Sequence, residues 1–403
     1  MSGSTAIVAQ VIRDDAEALR VAAELADGFR AGAAGRDARR EPPREEVDRL
    51  SASGLLAVTV PAEYGGADVG AGTLAEIFRL LATADASLAQ IPQSHFVYVN
   101  VLRRQGTAAQ REFFFGEVLA GRRFGNAQSE AGTRHVQDFR TRLEPEPDGD
   151  GYVLTGVKNY ATGALFADWI PVLARAAHDG DRLHVAYVPW DEPGLTVVDD
   201  WDGMGQRTTA SGTVRLDRVR VEPDRIVPHH LTFDGPQLHG ATAQLLHAAI
   251  DVGIAGGALA EAAEFVRTKS RPWFESGLVA AADDPLLIQR FGELAIRVRA
   301  AEALLVAAAR SVDAAAGGLT DESAAEASVA VAAAKAFAGA AAVEVSSALF
   351  EVAGTRAAAD GLNLHRHWRD ARTHTLHDPA RWKVQHIGRH LLNGTPPPRH
   401  GLL

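Results

Sequence analysis

The sequence contains no cysteine among its 403 residues. This absence excludes disulfide bridges, thiolate metal ligands and cysteine nucleophiles together, and it fits a protein of a reducing compartment. The chain also lacks a Gly-x-Gly-x-x-Gly run after a strand, and it lacks a Walker pattern. Neither a Rossmann site for a pyridine nucleotide nor a phosphate-binding P-loop is therefore expected.

Basic stripes and targeting segments are missing as well. The formal net charge is −10 without a sustained run of lysine and arginine, which argues against a nucleic-acid partner. Residues 1–20 lack the basic start and apolar run of a signal peptide, so we expect a soluble, cytoplasmic protein. The alanine-rich run 324–349 is interrupted by Lys335 and Glu344, which favours a buried bundle helix over a membrane span.

The sequence does contain a clear change of pattern along its length. Helical periodicity comes first, short β-rich segments between Asp, Gly and Pro turns follow from Phe124, and long helical segments return after Pro236. Segregated helical and strand blocks predict an α+β protein that is mostly α. The predicted units are a helical domain at residues 1–123, a β domain at 124–233 and a helical bundle at 234–403.

Five short motifs occur in a fixed order. They are Pro61 to Gly66 (Pro-Ala-Glu-Tyr-Gly-Gly), Ser129 to Thr133 (Ser-Glu-Ala-Gly-Thr), Gly156 to Gly163 (Gly-Val-Lys-Asn-Tyr-Ala-Thr-Gly), Met204 to Arg207 (Met-Gly-Gln-Arg) and Arg369 to Arg372 (Arg-Asp-Ala-Arg). Each is weak alone, but the ordered set covers nearly the whole chain and resembles the acyl-CoA dehydrogenase family. The resemblance implies an N-terminal helical domain, a central β-barrel-like domain and a C-terminal four-helix bundle.

The last motif departs from the family where catalysis is expected. In dehydrogenases it leads to Tyr-Glu-Gly-Thr, whose Glu commonly abstracts the α-proton of a thioester, whereas here the run is His377-Asp378-Pro379-Ala380. Together with Ser270 to Trp273, this segment is more similar to a monooxygenase branch that includes dibenzothiophene monooxygenase and SfnB-type sulfur-acquisition oxidoreductases, the latter being the closer match. That branch takes reduced FMN from a separate NAD(P)H:flavin reductase and reacts it with oxygen.

The resemblance implies a set of flavin-binding residues. An isoalloxazine needs hydrogen-bond partners along its polar edge and apolar cover on its faces. By position, the residues implied on one side of the flavin and at its N5 edge are Asn126, Gln128, Ser129, Thr133, Tyr160 and Thr162. Arg271 is implied on the cofactor phosphate and Phe274 beside the flavin, both from the neighbouring subunit, and Gly354 and Arg356 are implied near the phosphate tail. Ordinary strand polar groups and a solvated helix-end arginine are the alternatives.

Losses at the far end of the cofactor favour FMN over FAD. FAD-binding relatives hold the ADP half with a Gln-x-x-Gly-Gly run and with the Thr of Tyr-Glu-Gly-Thr. Here these positions hold Phe350-Glu351 and Ala380, so amide and hydroxyl groups are replaced by an aromatic ring, a carboxylate and a methyl group. Arg271 from a neighbouring subunit, together with the apolar helix at 324–349, also predicts a homo-oligomer, which we expect to be a tetramer.

His377 is the sharpest catalytic candidate. A histidine can give or hold a proton near neutrality because its ordinary pKa is about 6.5. The alternative is a histidine that donates to a backbone carbonyl at a helix start. For Asp378, a helix N-cap before Pro379 is preferred over catalysis. Thr162 and Asn126 are expected to assist His377.

Two further histidine assignments remain open. His95 lies on the apolar stripe of a predicted helix, where it is either a substrate-side residue or a satisfied core histidine. His386 and His390 have the i, i+4 spacing of zinc ligands, but no Glu follows His386 and carboxylates are scattered, so no metal is expected.

The sequence therefore predicts a two-component, FMNH2-dependent monooxygenase. It would insert one oxygen atom of O2, through a C4a-hydroperoxyflavin, into a small apolar substrate that we expect to be an organosulfur compound. The first alternative is an FAD-dependent acyl-CoA dehydrogenase with Asp378 as the base. A non-catalytic flavin-binding relative is the second.

Overall fold

The computed structural model describes residues 8–147 and 149–403. Six α-helices in this part precede the strands: α1 (Asp15–Arg39), α2 (Arg44–Ala52), α3 (Ala71–Ala84), α4 (Ala86–Gln90), α5 (Gln93–Gln105) and α6 (Ala108–Leu119). The helices that follow the strands are α7 (His239–Lys269), α8 (Pro285–Gly317), α9 (Asp321–Ala353), α10 (Arg366–His374) and α11 (Ala380–Asn393). The protein thus has the mostly α, α+β organisation that the sequence pattern predicts.

The strands form one mixed sheet in the order β5-β6-β2-β1-β3-β4-β7. Their bounds are β1 (Arg142–Pro145), β2 (Tyr152–Lys158), β3 (Trp169–Ala176), β4 (Arg182–Pro189), β5 (Leu195–Val198), β6 (Thr213–Val221) and β7 (Ile226–Val227). The β1–β3 pair is parallel and the other strand pairs are antiparallel. Isolated bridges from Phe124 to Trp169 and from Ala127 to Val172 extend β3 toward the segment that carries the expected flavin edge.

Several boundaries differ from the sequence prediction. The sequence shows one helical pattern across residues 87–105, but the structure splits this segment into α4 and α5 at Ile91-Pro92, because proline cannot donate the hydrogen bond that a continuous helix needs. Strand β3 was not predicted, since nearly all of its side chains are buried and it shows no alternation of apolar and polar residues. Helix α10 is short and strongly polar, so the sequence pattern shows the Arg-Asp-Ala-Arg motif there but does not predict a helix.

The N-terminal helices are divided between two hydrophobic cores. Helices α1 and α3 share one apolar cluster with α7, α8 and α9. Helices α5 and α6 pack instead on one face of the sheet through residues such as Leu102, Phe114 and Tyr187. The helical domain therefore joins the bundle on one side and the sheet on the other, and the candidate site lies where these three parts meet.

Two bundle helices are long and apolar enough to cross a membrane by composition alone. They are α7, whose most apolar window is 83% buried, and α9, whose window is 50% buried. The two helices pack against each other, and both pack against α8. Their apolar character is therefore used in the bundle core, as expected for the run 324–349.

Candidate active site

Two of the sequence motifs are joined by a buried ion pair. Lys158, at the end of β2, has no exposed side-chain surface, and its Nζ lies 2.7 Å from Oε1 of Glu130. The same ammonium donates to the carbonyl of Gln128 at 3.1 Å. Burial lowers the pKa of Lys158 to about 8, and Glu130 opposes this shift. The pair fixes the segment around Gln128 against β2, so both motifs are held at one edge of the sheet.

The polar side chains along this edge are only partly used by protein partners. Asn126 accepts a hydrogen bond from the Tyr98 hydroxyl at 3.3 Å and donates weakly to the Tyr160 carbonyl at 3.4 Å. Gln128 and Ser129 are only half-buried and, within the described residues, their side chains make no hydrogen bond. Unpaired amide and hydroxyl groups side by side fit the polar edge of a flavin ring.

Tyr160 and Thr162 follow directly after β2. Tyr160 has a positive φ of 55° and a side chain that is 59% exposed. A non-glycine residue rarely adopts this conformation, which here turns the chain so that Thr162 points inward. Thr162 Oγ1 lies 2.8 Å from Ser211 Oγ, which in turn lies 2.7 Å from Thr209 Oγ1.

This hydroxyl chain was missed in the sequence. The run Thr208-Thr209-Ala210-Ser211 directly after the Met-Gly-x-Arg motif was the available signal, because clustered small hydroxyl residues are unusual next to a buried strand. Ser211 connects Thr162 to Thr209. Thr162, which is expected at the N5 edge, therefore belongs to a group of three hydroxyls.

The Met-Gly-Gln-Arg and Arg-Asp-Ala-Arg motifs also contact each other. Arg369 donates from Nη1 to the Met204 carbonyl at 2.8 Å, and Asp370 accepts from the Gln206 backbone N–H at 2.6 Å. A Cβ on Gly205 would lie 2.0 Å from the Arg369 carbonyl oxygen, so only glycine allows this approach. Burial, together with the nearby Asp37 carboxylate, raises the pKa of Asp370 to about 7. The Arg-Asp pair therefore fastens helix α10 to the β domain.

His377 lies just beyond α10 and is exposed as a residue. Its ring packs on that of His247 of α7, with 4.1 Å between ring centroids and an interplanar angle of 38°. Burial of the imidazole ring lowers the pKa of His377, and the neighbouring Asp378 carboxylate opposes this shift. At neutral pH the imidazole is therefore neutral and carries a single N–H.

The expected N-cap role of Asp378 is wrong. Helix α11 begins at Ala380 with Pro379 in the cap position, and no side chain caps it. The Asp378 carboxylate instead lies 3.0 Å from the ammonium of Lys383, and both residues are buried. Because proline occupies the cap position, the aspartate side chain is free to turn inward to this cation.

His95 is held by the backbone on both sides of its ring. Nε2 donates to the Leu56 carbonyl at 2.9 Å, and Nδ1 accepts from the Phe124 backbone N–H at 3.0 Å. Burial lowers the pKa of His95 to about 4, so the ring is neutral. The structure therefore gives His95 the position of the satisfied core histidine, with no ring nitrogen left for a substrate.

The residues expected near the phosphate tail lie together at the far end of α7. Arg356 donates from Nη1 to the Lys269 carbonyl at 2.6 Å, and Gly354 ends α9 with a φ of 76°. Arg271 and Phe274 follow α7 and are exposed, Phe274 to 79%. Helical rise puts about 20 residues of α7, or ~30 Å, between His247 and this end. Within one chain, His377 and this end of α7 therefore lie far apart.

Thr133 is used within its own loop, where its hydroxyl donates to the His135 carbonyl at 3.2 Å.

The C-terminal histidines have separate partners. The pairs are His365 with Asp360, His367 with Glu261, His374 with Asp251 and His390 with Glu326. His386 stacks near Trp382 instead of joining His390 at a shared carboxylate.

Comparison with known proteins adds three family matches in chain order. The acyl-CoA dehydrogenase N-terminal domain matches residues 14–122, the middle domain residues 124–219 and the C-terminal domain residues 245–382. Dibenzothiophene monooxygenase of Rhodococcus erythropolis is 36% identical over 397 residues, 95% of each chain. A probable FMNH2-dependent monooxygenase, SfnC of Pseudomonas putida, is 32% identical over 94% of this chain and 96% of its own.

A solved structure is similar over the same length. FMN-bound TdsC from Paenibacillus sp. A11-2 superposes with a TM-score of 0.91 at 34% identity, covering 96% of this chain and all of that chain. The superposition includes both the sheet edge and the bundle, so the relation between these two parts is also shared.

Proposed function

The chain belongs to the acyl-CoA dehydrogenase family, in its branch of flavin-dependent monooxygenases, and we propose that it is a two-component enzyme that uses reduced FMN. A separate NAD(P)H:flavin reductase supplies the reduced cofactor in the cytoplasm. The substrate is a small apolar organosulfur compound, to which one oxygen atom of O2 is added. The names of the dibenzothiophene and FMNH2-dependent relatives support this substrate class and cofactor.

Reduced FMN, when bound, supplies the two electrons with which one atom of O2 is added to the substrate and the other leaves as water. Asn126, Gln128 and Ser129 would hold the polar edge of the ring, and Thr162 with Ser211 would face its N5 edge. Arg271 and Arg356 of a neighbouring subunit would bind the phosphate, since a guanidinium donates two parallel hydrogen bonds. His377 would hold the proton at the reacting edge with its single N–H.

The observation that carries this proposal is that the Asp378 carboxylate is engaged in an ion pair, whereas the imidazole of His377 is not. Asp378, which occupies the position of the dehydrogenase base, is held in a buried ion pair with Lys383. An α-proton base must be free to accept a proton, whereas this carboxylate is engaged by an ammonium. His377 is the group that the site presents instead. The FAD-dependent dehydrogenase alternative is therefore disfavoured.

The loss of ADP anchors also has a structural counterpart. Glu351 is paired with Arg290 of α8 at 3.2 Å rather than being open to a ligand. Phe350 packs against the bundle core. Neither residue offers a donor to an adenosine, while Gly354 and Arg356 remain beside the phosphate position. These contacts support FMN.

A test of the function is anaerobic loading followed by oxygen. We expect the protein to bind reduced FMN at least ~10-fold more tightly than FAD, because the adenosine half finds no anchors. Mixing the complex with O2 and dibenzothiophene should yield an oxygenated sulfur product, detected by mass spectrometry with 18O2. Octanoyl-CoA with an artificial electron acceptor serves as the comparison reaction. Reduction of that acceptor, together with tightly bound FAD after purification, would contradict the proposal.

The exposed apolar side chains support a homotetramer. Several large residues on α8, α11 and the loop between α7 and α8 are more than half exposed: Trp273, Phe274, Val279, Leu286, Ile288, Ile296, Trp382, Val384, Leu391 and Leu392. Large apolar side chains that gather on a surface commonly mark a protein–protein interface. We expect light scattering to give the mass of four chains at micromolar concentration.

Subunit sharing of Arg271 can be tested by complementation. Arg271→Ala and His377→Ala should each be nearly inactive. In an isolated hybrid dimer of the two, one site combines His377 of one chain with Arg271 of the other, so roughly half of the wild-type activity should return. A hybrid as inactive as either parent would show that Arg271 serves its own chain.

A further inference from the structure

Four polar side chains form a continuous chain inside the helical bundle, behind His377. Lys335 of α9 donates to Oδ2 of Asp251 at 2.7 Å, and Oδ1 of Asp251 lies 2.6 Å from Nδ1 of His374. Nε2 of His374 lies 3.0 Å from Nδ1 of His247. All four residues are buried, and Asp251 has no exposed surface. The network joins α7, α9 and α10 at the level of the reacting edge.

The charge of Asp251 determines the position of each proton in the chain. Burial opposes its ionisation, but the Lys335 ammonium and His374 outweigh this effect and lower the pKa of Asp251. An ionised carboxylate only accepts hydrogen bonds, so Nδ1 of His374 carries the proton. Nε2 of His374 is then an acceptor, and Nδ1 of His247 donates to it. Both imidazole tautomers are thus set from Asp251.

The last member of the chain touches His377. Burial lowers the pKa of His247 well below its ordinary value, and His377 and His374 act in the same direction. His247 is therefore a neutral ring of fixed tautomer against which His377 packs at 4.1 Å. An imidazolium at this distance would repel a proton on His377, and the burial of His247 keeps its ring neutral.

Packing alone does not require such a network. Apolar residues of similar volume commonly replace buried ion pairs without loss of stability. The neighbouring helix faces already pack through alanine, valine and leucine, so four polar groups here are not needed to fill the core. One end of their arrangement, His247, packs against the ring of His377.

We infer that Asp251, acting through His374 and His247, is a positioning residue that holds the ring of His377 in place in the oxygen-activating site. This inference rests on the proposed function. Lys335 balances the carboxylate charge, so the bundle interior carries no net charge from the pair. The arrangement is similar to a carboxylate that orients a catalytic imidazole, extended here by the two rings of His374 and His247.

The test uses a charge-balanced variant, Asp251→Asn combined with Lys335→Met. Asp251→Asn alone would leave a buried ammonium without its partner, whereas the double variant removes both charges. We expect its Kd for reduced FMN to stay within about 3-fold of wild type, because no flavin-edge residue is changed. On mixing with O2 and no substrate, the interval between oxygen uptake and hydrogen peroxide release should shorten by roughly 10–100-fold, as is typical when an orienting group is lost.

A second variant separates hydrogen bonding from shape. His247→Phe keeps a ring beneath His377 but removes the nitrogen that bonds to His374, and the same shortened interval is expected. His367→Gln is the matched control, because His367 lies on the same helix as His374 and pairs with Glu261 at 2.6 Å outside the chain. It should keep the wild-type interval.

The outcomes distinguish a positioning role of the buried chain from a general effect on bundle packing. A wild-type interval in His247→Phe overturns the positioning role, whether or not the double variant folds, while the oxygenase function stands. A shortened interval in His367→Gln as well would show a general effect of bundle packing and also overturns it. Wild-type protein that releases hydrogen peroxide without any interval overturns the oxygenase function and this inference with it.

Discussion

Replacing His377 with alanine is expected to reduce oxygenated product by about 10²–10⁴-fold, the usual cost of losing a positioned proton donor. Binding of reduced FMN should be retained, because the sheet-edge residues Asn126, Gln128 and Ser129 do not contact His377. Electrons from the flavin should then leave as hydrogen peroxide instead of product. The measurement is the ratio of product to hydrogen peroxide per O2 consumed, with dibenzothiophene as substrate.

His390→Ala provides the control for this prediction. His390 is another C-terminal histidine, but it pairs with Glu326 on the exposed side of α9 and α11. Its loss should leave the ratio of product to hydrogen peroxide unchanged. If His377→Ala gives the wild-type ratio, the proton is held elsewhere, and the hydroxyl groups of Thr162 and Ser211 become the groups to examine.

The fold and the enzyme class could be predicted because they depend on ordered local motifs. The acyl-CoA dehydrogenase fold and the monooxygenase branch are confirmed by the three family matches and by the similarity to TdsC. The structure gives a physical reason for the order of these motifs. Glu130 and Lys158 join two of the five motifs, and Arg369 and Asp370 join two more, so each of these four motifs has a partner that a single change would leave unpaired.

The buried polar chain could not be predicted, because each pair of hydrogen-bonded partners in it is more than 80 residues apart in the sequence and its members belong to three helices. In the sequence, Lys335 is recognisable only as an interruption of an apolar run. One signal was available: the sequence has four lysines among its 41 basic residues, and three of them, Lys158, Lys335 and Lys383, are buried in ion pairs. In a chain that otherwise uses arginine, three lysines therefore mark interior carboxylates, while the fourth, Lys269, is exposed.

The error at Asp378 has a related cause. An Asp-Pro pair before a helix is a common cap signal, and local rules alone select it. The deciding group is Lys383, one turn into α11, whose ammonium is buried and also donates to the Leu402 carbonyl at 2.9 Å. A buried cation outweighs a cap hydrogen bond, since an unpaired interior charge costs more than an uncapped helix end.

The second large effect is expected from Lys158→Met. The substitution keeps the side-chain length but removes the ammonium, leaving the Glu130 carboxylate with hydrogen bonds from Thr141 and the Arg140 backbone only. Removing one partner of a buried pair typically costs about 3–5 kcal/mol. The bond from Lys158 to the Gln128 carbonyl is lost as well, so the expected flavin edge is no longer fixed to β2.

We therefore expect Lys158→Met to lower the free energy of unfolding in urea by about 3–5 kcal/mol and to weaken reduced FMN binding by at least ~10-fold in the protein that remains folded. Lys269→Met is the matched control, because Lys269 is exposed and has only a cation–π contact with Phe265, so its loss should cost less than about 1 kcal/mol. If Lys158→Met loses stability but keeps its affinity for reduced FMN, the ion pair supports the sheet alone. The residues from Asn126 to Ser129 would then hold their positions without it, and the flavin edge would depend on the β3 bridges instead.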